Sequence, residues 1–266
     1  MTTFALVGVG KLGEALLSGL LRSGRPKEQV IAAERYAVRA KEITETYGVR
    51  AATPVEAVAQ ADVVLLAVKP QDMRTALKEL AGALRPGVLV VSMAAGITTA
   101  LIESEVPEGT HVVRVMTNTP VFVDEAMSAI SPGTHAVEAD LVLVEEFLRS
   151  VGRVIRVPES QQDAVTALTG SGPAYFFYLV EAMIDAGILL GLPRAVAAEL
   201  IVQTAVGSAK MLKESGEHPV VLREAVMSPA GTTISAIRVM EDHGVRAAML
   251  AALEAARDRS RELAAG

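Results

Sequence analysis

The pattern of hydrophobic and polar positions changes character near residue 158. Before that point, short unbroken apolar runs at residues 4–9, 30–33, 63–68, 88–92 and 112–116 alternate with amphipathic stretches such as 12–21 and 73–84. Continuous apolar runs of strand length, separated by helical periodicity, predict a parallel sheet covered by helices on both faces. A weaker strand at 127–130, a helix at 138–150 and a last strand at 153–157 complete this half, and Pro158 punctuates it. The expected class is doubly wound α/β.

From Ser160 onward the strand signal vanishes. Helical patterns follow one another at 161–168, 174–190, 194–215, 220–227, 234–242 and 246–263. The chain is therefore expected to divide into an α/β domain over 1–158 and an all-helical domain over 159–266. Residues 195–206, Ala-Val-Ala-Ala-Glu-Leu-Ile-Val-Gln-Thr-Ala-Val, carry apolar side chains on more than one face, too many for a single-layer surface helix. Burial against a second subunit explains this economically; a helix central to its own subunit is the alternative.

Composition narrows the function classes. The 266 residues suffice for two ordinary domains and a sizeable core without disulfides or metals. Half the residues are hydrophobic and only 3% aromatic, so the core must be built from Ala, Val, Leu, Ile and Met. The longest unbroken apolar runs, such as 63–68, fall far short of the ~18 residues of a membrane span, which predicts a soluble protein with no membrane partner. The start, Met-Thr-Thr-Phe-Ala-Leu-Val-Gly, lacks a basic n-region and cleavage site, so a cytoplasmic location is expected. Zero cysteine excludes thiolate nucleophiles and zinc–thiolate sites, and no metal is expected. A net charge of −6 argues against nucleic acid as partner, so anionic small ligands must be met locally.

One local device stands at each end of the chain. Gly8-x-Gly10-x-x-Gly13 follows the first strand and leads through Lys11 and Leu12 into a helix, the context in which this pattern signals dinucleotide binding. Gly8 permits the tight turn, Gly10 lets backbone approach a pyrophosphate, and Gly13 lets helix and strand pack closely. Glu34, 21 residues after Gly13, stands where an acid accepts from the adenosine ribose, which favours NAD. Arg35 beside it suits a 2′-phosphate instead, and a capping role for Glu34 ahead of the helix at Ala37 is the plain alternative. Ala67, Val68 and Lys69 leave a strand at the carboxyl edge where such folds bind ligands, and Ala95 joins them beyond the strand at 88–92. Lys69 either meets ligand charge or faces solvent. Asn118 offers donor and acceptor to a nicotinamide ribose or carboxamide, or else forms a turn.

At the far end, Ser228-Pro229-Ala230-Gly231-Thr232-Thr233 opens a helical run. Small hydroxyl and glycine residues there present bare N–H groups and a hydroxyl to a small anion, as a carboxylate pocket requires. An ordinary N-cap from Ser228 or Thr232 is the alternative, and the two roles can coexist. Thr169-Gly170-Ser171-Gly172-Pro173 breaks one helix and starts another, admitting either the nicotinamide end of a cofactor or a close helix crossing. Tyr175, Phe176, Phe177 and Tyr178 read as core and interface packing.

Five motifs in order, Gly8-Val-Gly-Lys-Leu-Gly13, Ala67-Val-Lys-Pro70, Met116-Thr-Asn-Thr-Pro120, Leu168-Thr-Gly-Ser-Gly-Pro-Ala-Tyr175 and Ser228-Pro-Ala-Gly-Thr-Thr233, together resemble the pyrroline-5-carboxylate reductase family over nearly the whole length. The resemblance implies an N-terminal Rossmann domain followed by an all-α dimerisation domain of 6-phosphogluconate-dehydrogenase-like architecture. It implies reduction of 1-pyrroline-5-carboxylate to L-proline, the last step of proline biosynthesis, with NADPH or NADH. It also implies a homodimer, with a decamer of five dimers as a further assembly. In that reading the N–H groups around Gly231, Thr232 and Thr233, with the Ser228 hydroxyl, hold the substrate carboxylate, and the Thr233 hydroxyl hydrogen-bonds the ring nitrogen. Two departures stand out: Thr117 replaces the family's usual proline, and Ala230 replaces the first glycine of Ser-Pro-Gly-Gly-Thr-Thr. The first is expected to relax the loop near the nicotinamide, and the second to add a methyl beside the substrate.

Reduction of a cyclic imine makes modest demands, because the nitrogen is protonated before hydride arrives and the iminium is already electrophilic. Positioning supplies most of what is needed. No lysine occurs between Lys78 and Lys210, and His111, His135, His218 and His243 fall outside the five motifs. A hydroxyacid dehydrogenase of similar build needs a lysine acid/base near residues 170–173, and none is there. The competing readings are a reductase of a related cyclic imino acid, a β-hydroxyacid-dehydrogenase-like enzyme, and a non-enzymatic NAD(P)-sensing dimer.

Overall fold

The computed structural model describes residues 2–265. It divides into two compact units, Met1–Ser171 with Ala256–Gly266, and Gly172–Ala255. The segment 159–171 thus packs with the sheet.

In the first unit the apolar runs become strands buried along their whole length: β1 (Phe4–Val7), β2 (Val30–Ala33), β4 (Val63–Leu66) and β5 (Leu89–Ser92). With β3 (Arg50–Ala52), β6 (His111–Met116), β7 (Ala126–Pro132) and β8 (Gly152–Arg156) they form one sheet of order β3-β2-β1-β4-β5-β6-β7-β8. The order reverses between β1 and β4, which marks the crevice where doubly wound folds take ligands. Alternate residues of each strand feed two cores. One face buries Phe4, Leu6, Val63 and Leu65 with Leu16 and Leu20 of α1 (Lys11–Arg22). The other buries Ala5, Val7, Val64 and Leu66 with Met73, Leu77 and Leu80 of α4 (Met73–Leu80).

The sheet departs from the all-parallel expectation at its last two strands. β6 and β7 are antiparallel, with Arg114 opposite Ser131, while β7 and β8 are parallel to each other. Only residues 117–125 join β6 to β7, too few for a crossover helix, so the chain turns straight back. From β7 the chain crosses through α6 (Glu138–Leu148) to reach β8 in parallel.

Beyond β8, the helix expected at 161–168 forms as α7 (Gln162–Val165) and widens into a π-turn, Thr166–Gly170. The second unit contains α8 (Gly172–Leu189), α9 (Arg194–Ser215), α10 (Pro219–Ala225) and α11 (Thr232–Asp242), and α12 (Val245–Ala265) begins in it. Gly191 in the left-handed region, at φ 92°, turns α8 into the Pro193 start of α9. A Cβ on Gly187 would lie 2.8 Å from the Ala197 Cβ, so glycine sets the close approach of these helices. Among the described residues of this unit only Gly172 and Ala197 are buried. Phe176, Phe177 and Tyr178 are each about two-thirds exposed or more, which removes the core reading of this cluster and leaves interface packing. Two helical stretches, Glu159–Leu189 and Arg194–Ser215, are long and apolar enough to cross a bilayer by length and composition alone. Scattered charges such as Glu181 and Asp185 break these helices into short apolar runs, so a count of unbroken runs does not register them.

Candidate active site

The three glycines after β1 have separate jobs. Gly8 takes φ 88°, and a Cβ there would lie 3.0 Å from the Ala67 carbonyl oxygen, so only glycine makes this turn beside β4 without strain. A Cβ on Gly13 would fall on the Gly8 carbonyl oxygen, so Gly13 allows α1 to pack against the turn it leaves. Gly10 has ordinary dihedrals and nothing within 4 Å of where its Cβ would be. It is the N-cap of α1, and no side chain caps that helix. A helix start with free N–H groups, a positive dipole end and open space fits a pyrophosphate.

Around this turn lies a cleft of about 410 Å³ lined by Gly8, Glu34, Arg35, Ala67, Val68 and Lys69 among others. Strand ends position them: Glu34 and Arg35 follow β2, and residues 67–69 follow β4, on either side of β1. Glu34 holds the glycine turn, its carboxylate accepting from Val9 N at 3.2 Å and from Tyr36 N at 3.1 Å. It therefore both shapes the loop and lines the cleft. Arg35 pairs with Glu79 of α4, itself a lining residue. Lys69 makes no ion pair among the described residues.

Other candidates are placed less uniformly. Lys11 and Leu12 sit in the first turn of α1, and Ala95 lies half-buried in the turn after β5. Asn118, after β6, is committed to the fold: its Nδ2 donates to the Thr169 carbonyl at 3.1 Å and its Oδ1 accepts from Met127 N at 3.0 Å. One amide hydrogen remains for a ligand. The Thr117 hydroxyl accepts from Ser128 Oγ at 2.9 Å in a buried bond, so the residue ties β6 to β7 instead of loosening the loop.

In the second unit, Ser228–Gly231 forms a tight turn closed by Gly231 N donating to Ser228 O at 3.0 Å. Gly231 is the N-cap of α11 and no side chain caps it, so neither Ser228 nor Thr232 plays the capping role. The first N–H groups of α11 are left for another acceptor. A Cβ on Gly231 would fall on Ser228 Oγ, so glycine brings that hydroxyl close to the helix start. Thr233 is half-buried in the first turn, and Ala230 sits in the left-handed region at φ 56°.

Some neighbours of the cleft carry no sequence motif. Glu79, Thr75, Asp72 and Tyr36 line it, and Arg39 braces it, donating to the Val9 carbonyl at 3.1 Å and pairing with Glu14 and Glu42. The bond to Glu14, then that to Glu42, holds the Arg39 guanidinium above its ordinary pKa. Burial, reinforced by a bond to Glu14, pushes the Tyr47 hydroxyl up. The available signal for Glu79 was the phase of α4, whose buried positions 73, 76, 77 and 80 turn 75 and 79 outward. Three histidines have structural partners: His111 with Asp140, His218 with Val220 N, and His243 with the Val239 carbonyl.

A mostly parallel sheet whose reversal point carries a glycine turn and an acidic β2 end, with a separate helical unit, defines a Rossmann-type dinucleotide-binding protein. A family model described as pyrroline-5-carboxylate reductase dimerisation matches residues 159–263, and one described as NADP oxidoreductase, coenzyme F420-dependent, matches 3–96. A pyrroline-5-carboxylate reductase of Corynebacterium melassecola is 45% identical over 99% of both chains. Among solved structures, the pyrroline-5-carboxylate reductase of Coxiella burnetii has a TM-score of 0.93 at 35% identity, covering 98% of each chain. The pyrroline carboxylate reductase of Plasmodium falciparum with NADP bound has a TM-score of 0.89 at 26% identity, covering 99% of this chain and 98% of that one. The chain belongs to the pyrroline-5-carboxylate reductase family.

Proposed function

We propose that this chain reduces 1-pyrroline-5-carboxylate to L-proline with NADPH or NADH. The coenzyme supplies a hydride to the imine carbon, and the ring nitrogen ends the reaction carrying a proton. The observation that carries the reading is the start of α11, where Gly231 leaves the first helical N–H groups uncapped beside the Ser228 hydroxyl. These N–H groups would hold the substrate carboxylate, and the Thr233 hydroxyl would bond the ring nitrogen and orient the imine. In the other unit the free start of α1 and the open space at Gly10 fit the pyrophosphate, while Glu34 and Arg35 take the adenosine end. Lys11, Leu12, Ala67, Val68, Lys69, Ala95 and Asn118 complete the coenzyme contacts in this proposal. No proton-transfer lysine is needed, in keeping with the lysine-free span between Lys78 and Lys210.

The exposed apolar helices, which fall within the dimerisation match, serve in this reading as a homodimer surface and not a membrane anchor. Assembly into five dimers and a cytoplasmic location complete the proposal. The direct test mixes the protein with the imino acid and either reduced coenzyme and follows loss of nicotinamide absorbance. Turnover is expected, and its absence with both coenzymes would sink the reading. Thr233→Val should lower kcat about tenfold or more while coenzyme affinity stays near wild type, as loss of one oriented hydrogen bond predicts.

A further inference from the structure

We propose that Glu79 sets coenzyme choice by masking Arg35, so that the cleft disfavours the 2′-phosphate of NADPH; this rests on the dinucleotide reading of the cleft. Glu79 comes from α4, outside the glycine turn and the β2 end. The apolar positions of α4 face the sheet, and that phase delivers Thr75 and Glu79 to the cleft wall. There Glu79 forms an ion pair with Arg35, the residue directly after Glu34. An acid at the end of β2 accepts from the ribose 2′-hydroxyl, whereas an arginine nearby accommodates a 2′-phosphate. Arg35 is the arginine in that position, and it is already engaged.

Of the other cations, one is already engaged and one comes from a different strand. Arg39 is bonded to the Val9 carbonyl and paired with Glu14 and Glu42. Lys69 lines the same cleft but leaves β4, on the opposite side of β1 from β2. The cleft wall carries three carboxylates, Glu34, Asp72 and Glu79, against Arg35 and Lys69. A 2′-hydroxyl adds no charge to this group, but a 2′-phosphate adds roughly two negative charges. Glu79 opposes that phosphate twice, by occupying its natural partner and by direct repulsion. The pair is itself partly exposed, with side-chain exposures of 56% and 40%, so its contribution to folding is small and its removal leaves the fold intact.

The test measures dissociation constants of NADH and NADPH, by nicotinamide fluorescence on the full chain, for wild type, Glu79→Gln, Arg35→Ala and the double variant. Glu79→Gln is expected to lower the NADPH/NADH ratio of dissociation constants about tenfold, with NADH affinity little changed. The shift should shrink as salt is raised, since the charges are solvent-accessible. Adding Arg35→Ala should abolish the gain. A ratio that stays within about twofold of wild type in Glu79→Gln, or a gain that survives loss of Arg35, would overturn the proposal. Failure of the wild type to bind either coenzyme would overturn the dinucleotide reading itself, a separate result because no imino acid enters the measurement.

Discussion

Ala230 and the three glycines of the first turn show how one methyl group has opposite consequences in different places. Ala230 holds φ 56° in a turn where its Cβ is a liability, since a left-handed residue other than glycine costs roughly 1–2 kcal/mol. Glycine regains that strain but makes the unfolded chain more flexible by about 0.4–1 kcal/mol. Ala230→Gly is therefore expected to stabilise the protein by about 0.5–1 kcal/mol, and denaturant unfolding of the two proteins would show it; equal or lower stability would refute the strain. Gly10 and Gly13 separate binding from folding in the same manner. Gly13→Ala drives a methyl into the Gly8 backbone and should destabilise by about 2 kcal/mol or more, because backbone cannot move aside cheaply. Gly10→Ala meets open space, so its folding cost should stay below about 1 kcal/mol while coenzyme affinity falls severalfold. If melting and coenzyme titration showed equal stability losses in both variants, the distinct roles assigned to these glycines would be wrong. The sequence motif assigns each glycine its own role, and the distances to Ala67 and Gly8 give those roles their steric cause.

At the scale of elements, legibility followed burial. Strands buried on both faces, such as β2 and β5, announced themselves as apolar runs, whereas β3, at the sheet edge with Arg50 exposed and Ala51 and Ala52 half-buried, has no periodicity to read. The reversal of β7 was hidden for another reason, since direction depends on the length of a connection and not on the residues within the strand. The π-turn at Thr166–Gly170 was equally invisible, since one of its carbonyls, that of Thr169, accepts from Asn118, 51 residues away. Ion pairs between elements are no more legible, and one of them ties β8 to α6. Arg156 reaches Glu138 and Glu145, and its bond to Glu145 holds that carboxyl below its ordinary pKa of 4.5. A carboxyl with a depressed folded pKa contributes stability above its unfolded value, and the contribution is lost as pH falls through the folded one. Glu145→Gln should thus be less stable than wild type at neutral pH, with the gap closing as pH drops below about 4.5. Urea unfolding across that range checks it, and a gap independent of pH would remove the bond to Arg156 as its cause.

At the scale of the whole molecule, the helical unit lacks a core of its own. Leu200 and Val196 are 55% and 42% exposed on one face of α9, and Val202 and Val206, more than half exposed, stand on another. A helix apolar on several faces is a buried helix, so solvent is the wrong neighbour for both. The match of residues 159–263 to a dimerisation family supports a second copy of the chain as the proposed occupant. Burying each such side chain contributes about 2 kcal/mol, and a charge forced into the same place adds a desolvation cost. Leu200→Glu is therefore expected to shift the protein from dimer toward monomer in light scattering, and to lower its melting temperature. In the wild type that temperature should rise with protein concentration, as mass action requires of a subunit whose stability comes from its partner. A wild-type chain that stayed monomeric in buffer, or left the aqueous phase for lipid vesicles, would contradict this account of its apolar helices. Pairing also bears on catalysis: if Leu200→Glu lost imino-acid reduction while NADH titration showed the coenzyme cleft intact, the substrate end of the reaction would depend on the assembled pair.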